Sequence, residues 1–319
     1  MIRHAKLSTL TASPFLYSVP SHSMDKQQTR QGIFFALAAY FIWGLAPAYF
    51  KLIQQVPADE ILTHRVIWSF FFMLILLTVS RHWPQVRDAC KNRKRLLLLA
   101  VTAVLIASNW LLFIWAVNHN HMLEASLGYF INPLVNVLFG MLFLGERFRR
   151  MQWVAVALAF AGVLIQLWQF GSLPVIGLGL AITFALYGLL RKKLGVDAQT
   201  GMLIETMWLL PVAAVYLFFI ADSPTSHLSA NAWSLNLLLA AAGVITTIPL
   251  LFFTAAATRL RLSTLGFFQY LGPTLMFILA VTFYGETIGN DKMVTFIFIW
   301  AALLLFTLDA LYTQRKLRR

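Results

Sequence analysis

The sequence predicts an all-α membrane protein of ten transmembrane helices, arranged as an inverted 5+5 repeat with both termini cytoplasmic. Three observations lead to this prediction. The 319 residues are 60% apolar and 12% charged, whereas a soluble chain averages about 45–50% apolar and about 25% charged. The apolar residues form ten runs of roughly the length that crosses a bilayer as a helix. Motifs of the first half also recur at fixed spacing in the second half.

The first five helices are separated by short links, so neighbouring helices are expected to be antiparallel. Basic residues crowd the links at 81–95 and 147–150, whereas the links after the first and third runs carry few of them. These helices are predicted at 32–50, 61–79, 96–117, 125–144 and 153–170.

The second five helices follow the same plan and leave no room for a soluble domain. Arg191, Lys192 and Lys193 follow the sixth run, and Arg259 with Arg261 follows the eighth. These helices are predicted at 173–190, 202–220, 235–256, 262–284 and 293–312.

The distribution of Lys and Arg predicts the orientation in the membrane. Of the 25 basic residues, 22 fall in one alternating set of links and termini, and the other set holds Lys51 and Lys292. Short cytoplasmic links are enriched in Lys and Arg. The alternation therefore places both termini in the cytoplasm, and it accounts for the net charge of +13 without a nucleic-acid partner.

An internal repeat relates the two halves. At an offset of 140 residues Phe130 falls on Tyr270, and Pro133 falls on Pro273. The Gly-Glu pair at 145–146 recurs at 285–286, and an offset of 144 places Trp43-Gly44 on Tyr187-Gly188. Five helices per half invert the second half, a construction of secondary transporters whose site lies where the halves meet.

The domain organisation follows from the repeat. Residues 32–170 form the first five-helix repeat and residues 173–312 the second, inverted one. Residues 1–31 are predicted to be a cytoplasmic extension, disordered over 1–23, and residues 313–319 a basic cytoplasmic tail.

These elements resemble the drug/metabolite transporter superfamily in its EamA branch. The resemblance covers essentially everything after Met24 and implies a permease-type fold, a transport role and an inner-membrane location. It implies little about the substrate. The stretches that carry it are 39–44 with Pro47, Thr63-His64-Arg65, 123–134, 205–208 and 261–270.

Three ionisable residues within the helices are candidates for a proton or charge site. Glu205 is either a group that takes up a proton or contacts the substrate, or a cap of its own helix near the interface. A carboxylate at that position is favoured by the helix dipole. Arg65 either attracts an anionic substrate or snorkels outward as a structural lock. His64 could carry a proton, although no carboxylate is predicted nearby.

The fourth and ninth helices are the best candidates for a central site. Asn132 and Asn136 lie four residues apart on one stripe of the fourth helix, and Gln269 with Tyr270 occupies the ninth. Prolines predict an interruption in each helix, which is how transporters expose backbone to a cavity; ordinary kinked packing is the alternative. Further predicted substrate-binding residues are Tyr40, Trp43, Asn109, Trp110, Tyr129 and Tyr187.

The leading functional prediction is a secondary permease that moves a small amphipathic molecule by alternating access. The alternative is a membrane-embedded enzyme acting on a lipid or polyprenyl substrate. The sequence carries no nucleotide-binding loop and no Cys/His metal pattern, so neither cofactor nor metal is expected. The expected partners are a small-molecule substrate and membrane lipid.

Overall fold

A computed structural model describes residues 26–118, 121–282 and 290–316, and every regular element within them is helical. The predicted extension 1–23 therefore lies outside the described residues. The helices are α1 Lys26–Leu52, α2 Ala58–Ser80, α3 Trp83–Lys91, α4 Arg93–Asn118, α5 Met122–Leu144, α6 Arg150–Phe170, α7 Val175–Leu194, α8 Ala198–Val215 with a π turn at Tyr216–Ile220, α9 Trp233–Arg259, α10 Leu262–Gln269, α11 Leu271–Thr282 and α12 Asn290–Lys316.

Eight helices within the described residues are long and apolar enough to cross a membrane: α1, α2, α4 to α7, α8 with its π turn, and α9. They coincide with the first eight predicted runs. The ninth run is divided into α10 and α11, and the tenth is α12, whose apolar part is Met293–Asp309. The short α3 was not predicted. It fills the basic link after α2 and is amphipathic, with Val86 and Ala89 buried.

An interruption was predicted in the fourth and the ninth helix; it is present in the ninth, and the prediction is wrong for the fourth. α10 ends at Gln269, and α11 begins at Leu271. In contrast, α5 runs continuously through Pro133. Two helices approach α5 closely: its Gly128 lies against the backbone of Gly177 in α7, and Gly266 of α10 lies against the carbonyl of Pro133. The helix is thus continuous at Pro133 although the proline supplies no N–H to the ladder.

The two halves of the chain interdigitate. α1 packs against α9 and α11, α2 against α8 and α9, and α4 against α7 and α8. α5 packs against α7 and α10, and α6 against α12. Most helices of the first half are therefore in contact with helices of the second half.

Tertiary contacts bring one set of helix ends together. Ser80 at the end of α2 donates to Gln199 Oε1 near the start of α8 at 2.8 Å. Lys192 near the end of α7 donates to the carbonyls of Ala257 and Leu260 at the end of α9. We call the side on which α2, α7 and α9 end the basic side, because the Lys and Arg clusters lie there.

Glu146, from the repeated Gly-Glu motif, caps a helix on the basic side. Its carboxylate accepts hydrogen bonds from the backbone N–H groups of Leu262, at 2.6 Å, and Ser263, at 3.1 Å. A carboxylate at a helix N-terminus satisfies free donors and complements the helix dipole. The motif therefore joins the end of α5 to the start of α10.

The other set of helix ends defines the opposite side. Tyr49 near the end of α1 donates to the carbonyl of Leu238 near the start of α9 at 2.7 Å. Tyr216 at the end of α8 donates to Asp59 at the start of α2. These contacts fix the depth of α1 relative to α9 and of α2 relative to α8.

Candidate substrate site

Arg65 lies within the helix bundle without a described acidic partner. It is about 10 Å along the axis of α2 from where that helix begins on the opposite side. Its Nε donates a hydrogen bond to Oγ1 of Thr246, in the middle of α9, at 2.8 Å. Within the described residues, no carboxylate lies within 4.0 Å of the guanidinium. Because an unpaired charge near the bilayer centre costs at least about 2.5–3.5 kcal/mol, other groups must stabilise this cation.

Aromatic rings supply that stabilisation. The Arg65 Cζ lies 4.6 Å from the ring centroid of Trp110 in α4 and 5.7 Å from that of Phe50 in α1. Cation–π contacts of this kind are worth about 0.5–2 kcal/mol. The phenol of Tyr129 in α5 lies in the neighbourhood of the guanidinium. We call these residues the Arg65 cluster: Phe50, Arg65, Trp110, Tyr129 and Thr246.

The Arg65 cluster is partly open. Arg65, Phe50, Trp110 and Tyr129 are all half-buried. The terminal Nη1 and Nη2 of Arg65 donate no hydrogen bond to a described residue, and neither is enclosed by protein. Two charged donors within the bundle therefore have no described hydrogen-bond partner.

A second group of aromatic residues closes the bundle toward the basic side. Tyr40 and Trp43 in α1, Phe184 and Tyr187 in α7, and Phe253 in α9 form what we call the aromatic cluster. The ring centroids are 5.7 Å apart for Tyr40 and Trp43, 5.8 Å for Trp43 and Phe184, and 4.8 Å for Phe184 and Phe253. Tyr40, Tyr187 and Phe253 are at most 2% exposed. Phe253 lies about 10 Å along α9 from Thr246, toward the basic side.

Sequence reasoning selected three of these five aromatic residues and missed Phe184 and Phe253. The repeat offered a signal for the first, because Phe184 follows Tyr40 by the same 144 residues that separate Tyr187 from Trp43. For Phe253 the sequence offered one signal, its position 140 residues after Phe113 in the repeat. In the structure, Phe253 is the ring that contacts all four others.

Glu205 lies in a buried network and does not cap its own helix. Its Oε1 accepts a hydrogen bond from Thr102 Oγ1 at 2.6 Å and lies 3.5 Å from Arg191 Nε. The hydroxyl of Tyr187 donates to Oε2 at 3.2 Å. Both charged residues are 1% exposed. Asp197 performs the capping role, accepting from the backbone N–H of Thr200 at 2.9 Å.

The amides of α5 and α10 meet at a helix–helix contact. Asn136 Nδ2 donates to Asn132 Oδ1 at 2.8 Å and to Gln269 Oε1 at 3.2 Å. Asn132 Nδ2 donates to the carbonyl of Ala181 in α7 at 3.1 Å. Tyr270 donates to the carbonyl of Phe130, its counterpart in the repeat, at 3.1 Å. All four polar side chains are buried, so in this conformation they join helices.

Asn109 and His64 are also engaged within the bundle. Asn109 Nδ2 donates to the carbonyl of Leu180 and to Thr183 Oγ1, each at 2.9 Å, and so ties α4 to α7. The buried His64 accepts from Trp68 Nε1 at Nδ1, at 3.3 Å. Neither side chain belongs to the Arg65 cluster.

An apolar groove of about 870 Å³ lies elsewhere, along α5, α6 and α7. Its lining includes Leu134, Phe160 and Trp168, and Trp168 is 89% exposed. The groove contains none of the predicted site residues. An apolar lateral surface of this kind suits lipid contact.

Comparison with known families decides the classification. The model of the EamA-like transporter family matches this chain twice, over residues 30–168 and 173–308. The chain belongs to the EamA-like transporter family. It is a multi-pass membrane protein, and the family model matches the first and the second half of the chain separately.

Similar EamA-like chains occur in several bacteria. The chain is 76% identical to "Protein RarD" of Salmonella typhimurium (strain LT2) over 92% of its length and all of that relative. It is 73% identical to "Protein RarD" of Escherichia coli (strain K12), covering 92% of the chain and 99% of the relative. It is 44% identical to "Uncharacterized transporter YojE" of Bacillus subtilis (strain 168), covering 93% and 98%. The resemblance found from the motifs is confirmed.

A solved structure supports the fold of this EamA-like chain. It is titled "Crystal structure of protein" and superposes with a TM-score of 0.67 at 15% identity, covering 88% of this chain and 98% of that one. At this identity the likeness concerns the fold alone.

Proposed function

We propose that this protein is a secondary permease of the bacterial inner membrane, which moves a small amphipathic molecule by alternating access. In this proposal ten helices cross the membrane, with α10 and α11 together forming the ninth span and α12 the tenth. Both termini and the basic side face the cytoplasm, as the Lys and Arg distribution favours.

The pattern of helix contacts supports two inverted halves. The repeat makes α1 equivalent to α7, α4 to α9, and α5 to α10 with α11. If each helix is replaced by its equivalent in the other half, the α1–α9 contact becomes the α7–α4 contact. In the same way, the α5–α7 contact becomes the α11–α1 contact. All four of these contacts occur. The pairs α2–α8, α5–α10 and α6–α12 map onto themselves and also occur. Inverted repeats that pack in this way can exchange conformations, which gives access from alternate sides.

One observation carries the proposal: the bundle holds an accessible cation toward one side and packed aromatic rings toward the other. Arg65 and the three aromatic residues of its cluster are half-buried, whereas Tyr40, Tyr187 and Phe253 are buried. We propose that substrate enters from the opposite side, meets Arg65, Trp110 and Tyr129, and passes when the aromatic cluster separates.

The remaining predicted residues have roles in this cycle. Tyr187 joins the aromatic cluster to Glu205 through a direct hydrogen bond, so we assign Glu205 to a charge site that responds to opening. Asn109, Asn132, Asn136, Gln269 and Tyr270 connect helices in the present conformation. We propose that these polar contacts exchange partners as the halves move.

Flux measurement with a matched tryptophan control tests the proposal. The full chain is reconstituted in liposomes, loaded with a mixture of small metabolites and drugs, and the contents are followed by mass spectrometry. We expect release of chemically unaltered compounds. Trp43→Ala should reduce that release by about tenfold or more, the loss that removing about 1.4 kcal/mol of interaction produces. Trp168→Ala, at an 89% exposed ring, should leave it unchanged.

Two outcomes would contradict the permease proposal. Chemical conversion of a compound would indicate an enzyme. Equal flux in the Trp43→Ala and wild-type proteins, at matched amounts of folded protein, would show that the aromatic cluster does not lie on the transport path.

A further inference from the structure

The surroundings of Arg65 point to the charge of the molecule that binds there. Two other cations in the described bundle have acidic partners: Arg191 lies 3.5 Å from Glu205, and Arg149 lies 3.2 Å from Asp309. Among the described residues Arg65 has one hydrogen bond, to Thr246, and its two terminal nitrogens have no described partner. Nothing in its described contacts neutralises the charge.

The aromatic neighbours exclude a cationic ligand and favour a flat one. A bare aromatic face would attract a cation, but Arg65 itself already lies over the ring of Trp110, at 4.6 Å. A second positive charge would therefore be repelled. The half-buried rings of Phe50 and Tyr129 offer apolar surface beside the guanidinium, which suits a planar apolar body.

The geometry of the guanidinium and the number of charges indicate a carboxylate. Nη1 and Nη2 lie in one plane and can donate two parallel hydrogen bonds, which match the two oxygens of a carboxylate. The described contacts of the cluster supply one cation, which balances one negative charge. An inorganic phosphate dianion would remain half neutralised.

We propose that the Arg65 cluster binds a small monocarboxylate with a flat apolar body, its carboxylate on Nη1 and Nη2 and its body against Trp110, Phe50 and Tyr129. This assignment rests on the proposed function, since it names the substrate class of the same site. A charge-assisted, bidentate contact should favour the acid over its neutral amide by about ten- to a hundredfold.

Binding to the purified full-length protein tests the assignment. The probes are indole-3-acetate, indole-3-acetamide, which has the same ring without the charge, and inorganic phosphate; affinity is measured by calorimetry in detergent. We expect saturable binding of indole-3-acetate and at least tenfold weaker binding of the other two. Arg65→Gln should abolish the preference for the acid, and Arg65→Lys should retain part of it.

Arg259→Gln is the matched control. Arg259 is also half-buried, lies 5.3 Å from the ring of Phe35 and donates to the carbonyl of Ala255, but it is at the basic end of α9. Its replacement should leave the preference for the acid intact. If Arg259→Gln also lost the preference for the acid, the preference would depend on the overall positive charge of the protein and not on Arg65. The assignment would then be wrong.

The result separates this assignment from the permease proposal. Equal affinity for acid and amide, tighter binding of phosphate, or no saturable binding of indole-3-acetate each overturns the carboxylate assignment, even if flux of neutral compounds persists. An Arg65-dependent preference for the acid in a protein that shows no flux would uphold the site and overturn the permease. The comparison of acid with amide uses the wild-type protein, so it stands even if an Arg65 variant fails to fold.

Discussion

Two opposite charges at 1% exposure make the Arg191–Glu205 pair a strong constraint on the structure. The pair holds α7 against α8, and Thr102 adds α4 through its 2.6 Å hydrogen bond to Glu205. Removing both charges from water is costly, and their attraction offsets that cost only while both are present. A single replacement is therefore worse than a double one.

Arg191→Met and Glu205→Leu should each lower the free energy of unfolding by about 3–5 kcal/mol, because each leaves a buried charge without its partner. The double variant should be more stable than either single variant. Thermal unfolding of the purified protein in detergent measures all three. If the two losses simply added, the pair would not be coupled and the network as described would be wrong.

At the scale of helices, the contact between α2 and α9 positions the candidate site. Gly243 of α9 lies against the backbone of Trp68 and Ser69, and Ser69 Oγ donates to the Gly243 carbonyl at 3.1 Å. One turn further along, the same pair of helices brings Thr246 to Arg65. The glycine is required because a Cβ there would lie 2.5 Å from the Ser69 backbone nitrogen.

Gly243→Ala should therefore push α9 away from α2. We expect destabilisation of about 1–3 kcal/mol, the usual cost of overpacking, together with weaker binding at Arg65. Gly272→Ala in α11 is the control, since a Cβ there meets nothing within 4 Å and alanine favours a helix. Thermal unfolding in detergent measures the stability of both variants. Equal stability of the two variants would show that α2 and α9 do not approach as closely as described.

At the scale of the whole molecule, the proposed cycle requires the two sides to open in turn. The described conformation has the half-buried Arg65 cluster toward the opposite side and the buried aromatic cluster toward the basic side. The exposed Cys90 in α3, between the basic ends of α2 and α4, reports which side faces the cytoplasm.

Cysteine labelling with a membrane-impermeant maleimide should reveal both properties. In the wild-type chain we expect Cys90 to react in inverted vesicles and not in intact cells. In a Cys90→Ala background, Tyr129→Cys should react in intact cells. Phe253→Cys should be protected there and react in inverted vesicles only to the extent that the protein opens toward the basic side.

Two patterns of labelling would contradict the proposed arrangement. Reaction of Cys90 in intact cells would reverse the orientation. Protection of Phe253→Cys from both sides during active transport would show that the aromatic cluster never separates, and alternating access through it would have to be abandoned.

Much of the fold could be predicted because lipid imposes simple local requirements. Every backbone polar group must be paired within the membrane, so apolar runs of the right length become helices, and the first eight predicted runs are confirmed as such. The break in the ninth run was predicted correctly, but the break predicted at Pro133 does not occur. In the structure α5 continues through Pro133 and packs closely against both α7 and α10.

The candidate site was only partly predictable, because neighbours distant in sequence decide each side chain's role. The sequence left Arg65 open between an anion site and a structural lock. The structure shows its terminal nitrogens accessible and its described contacts free of carboxylates. Glu205 was left open between a proton or substrate contact and a helix cap, and the structure pairs it with Arg191, 14 residues earlier in the chain but on another helix.

The sequence by itself determined the membrane class, the helical content, the family and the set of residues worth testing, because hydropathy, basic links and repeated motifs are properties of the chain alone. Only the tertiary structure decided which of those residues meet. Burial and ion pairing depend on which helices pack together, and here most helices of one half pack against helices of the other. For this reason Arg65, Thr246 and Trp110, from three helices far apart in the chain, form one cluster that no local pattern could have revealed.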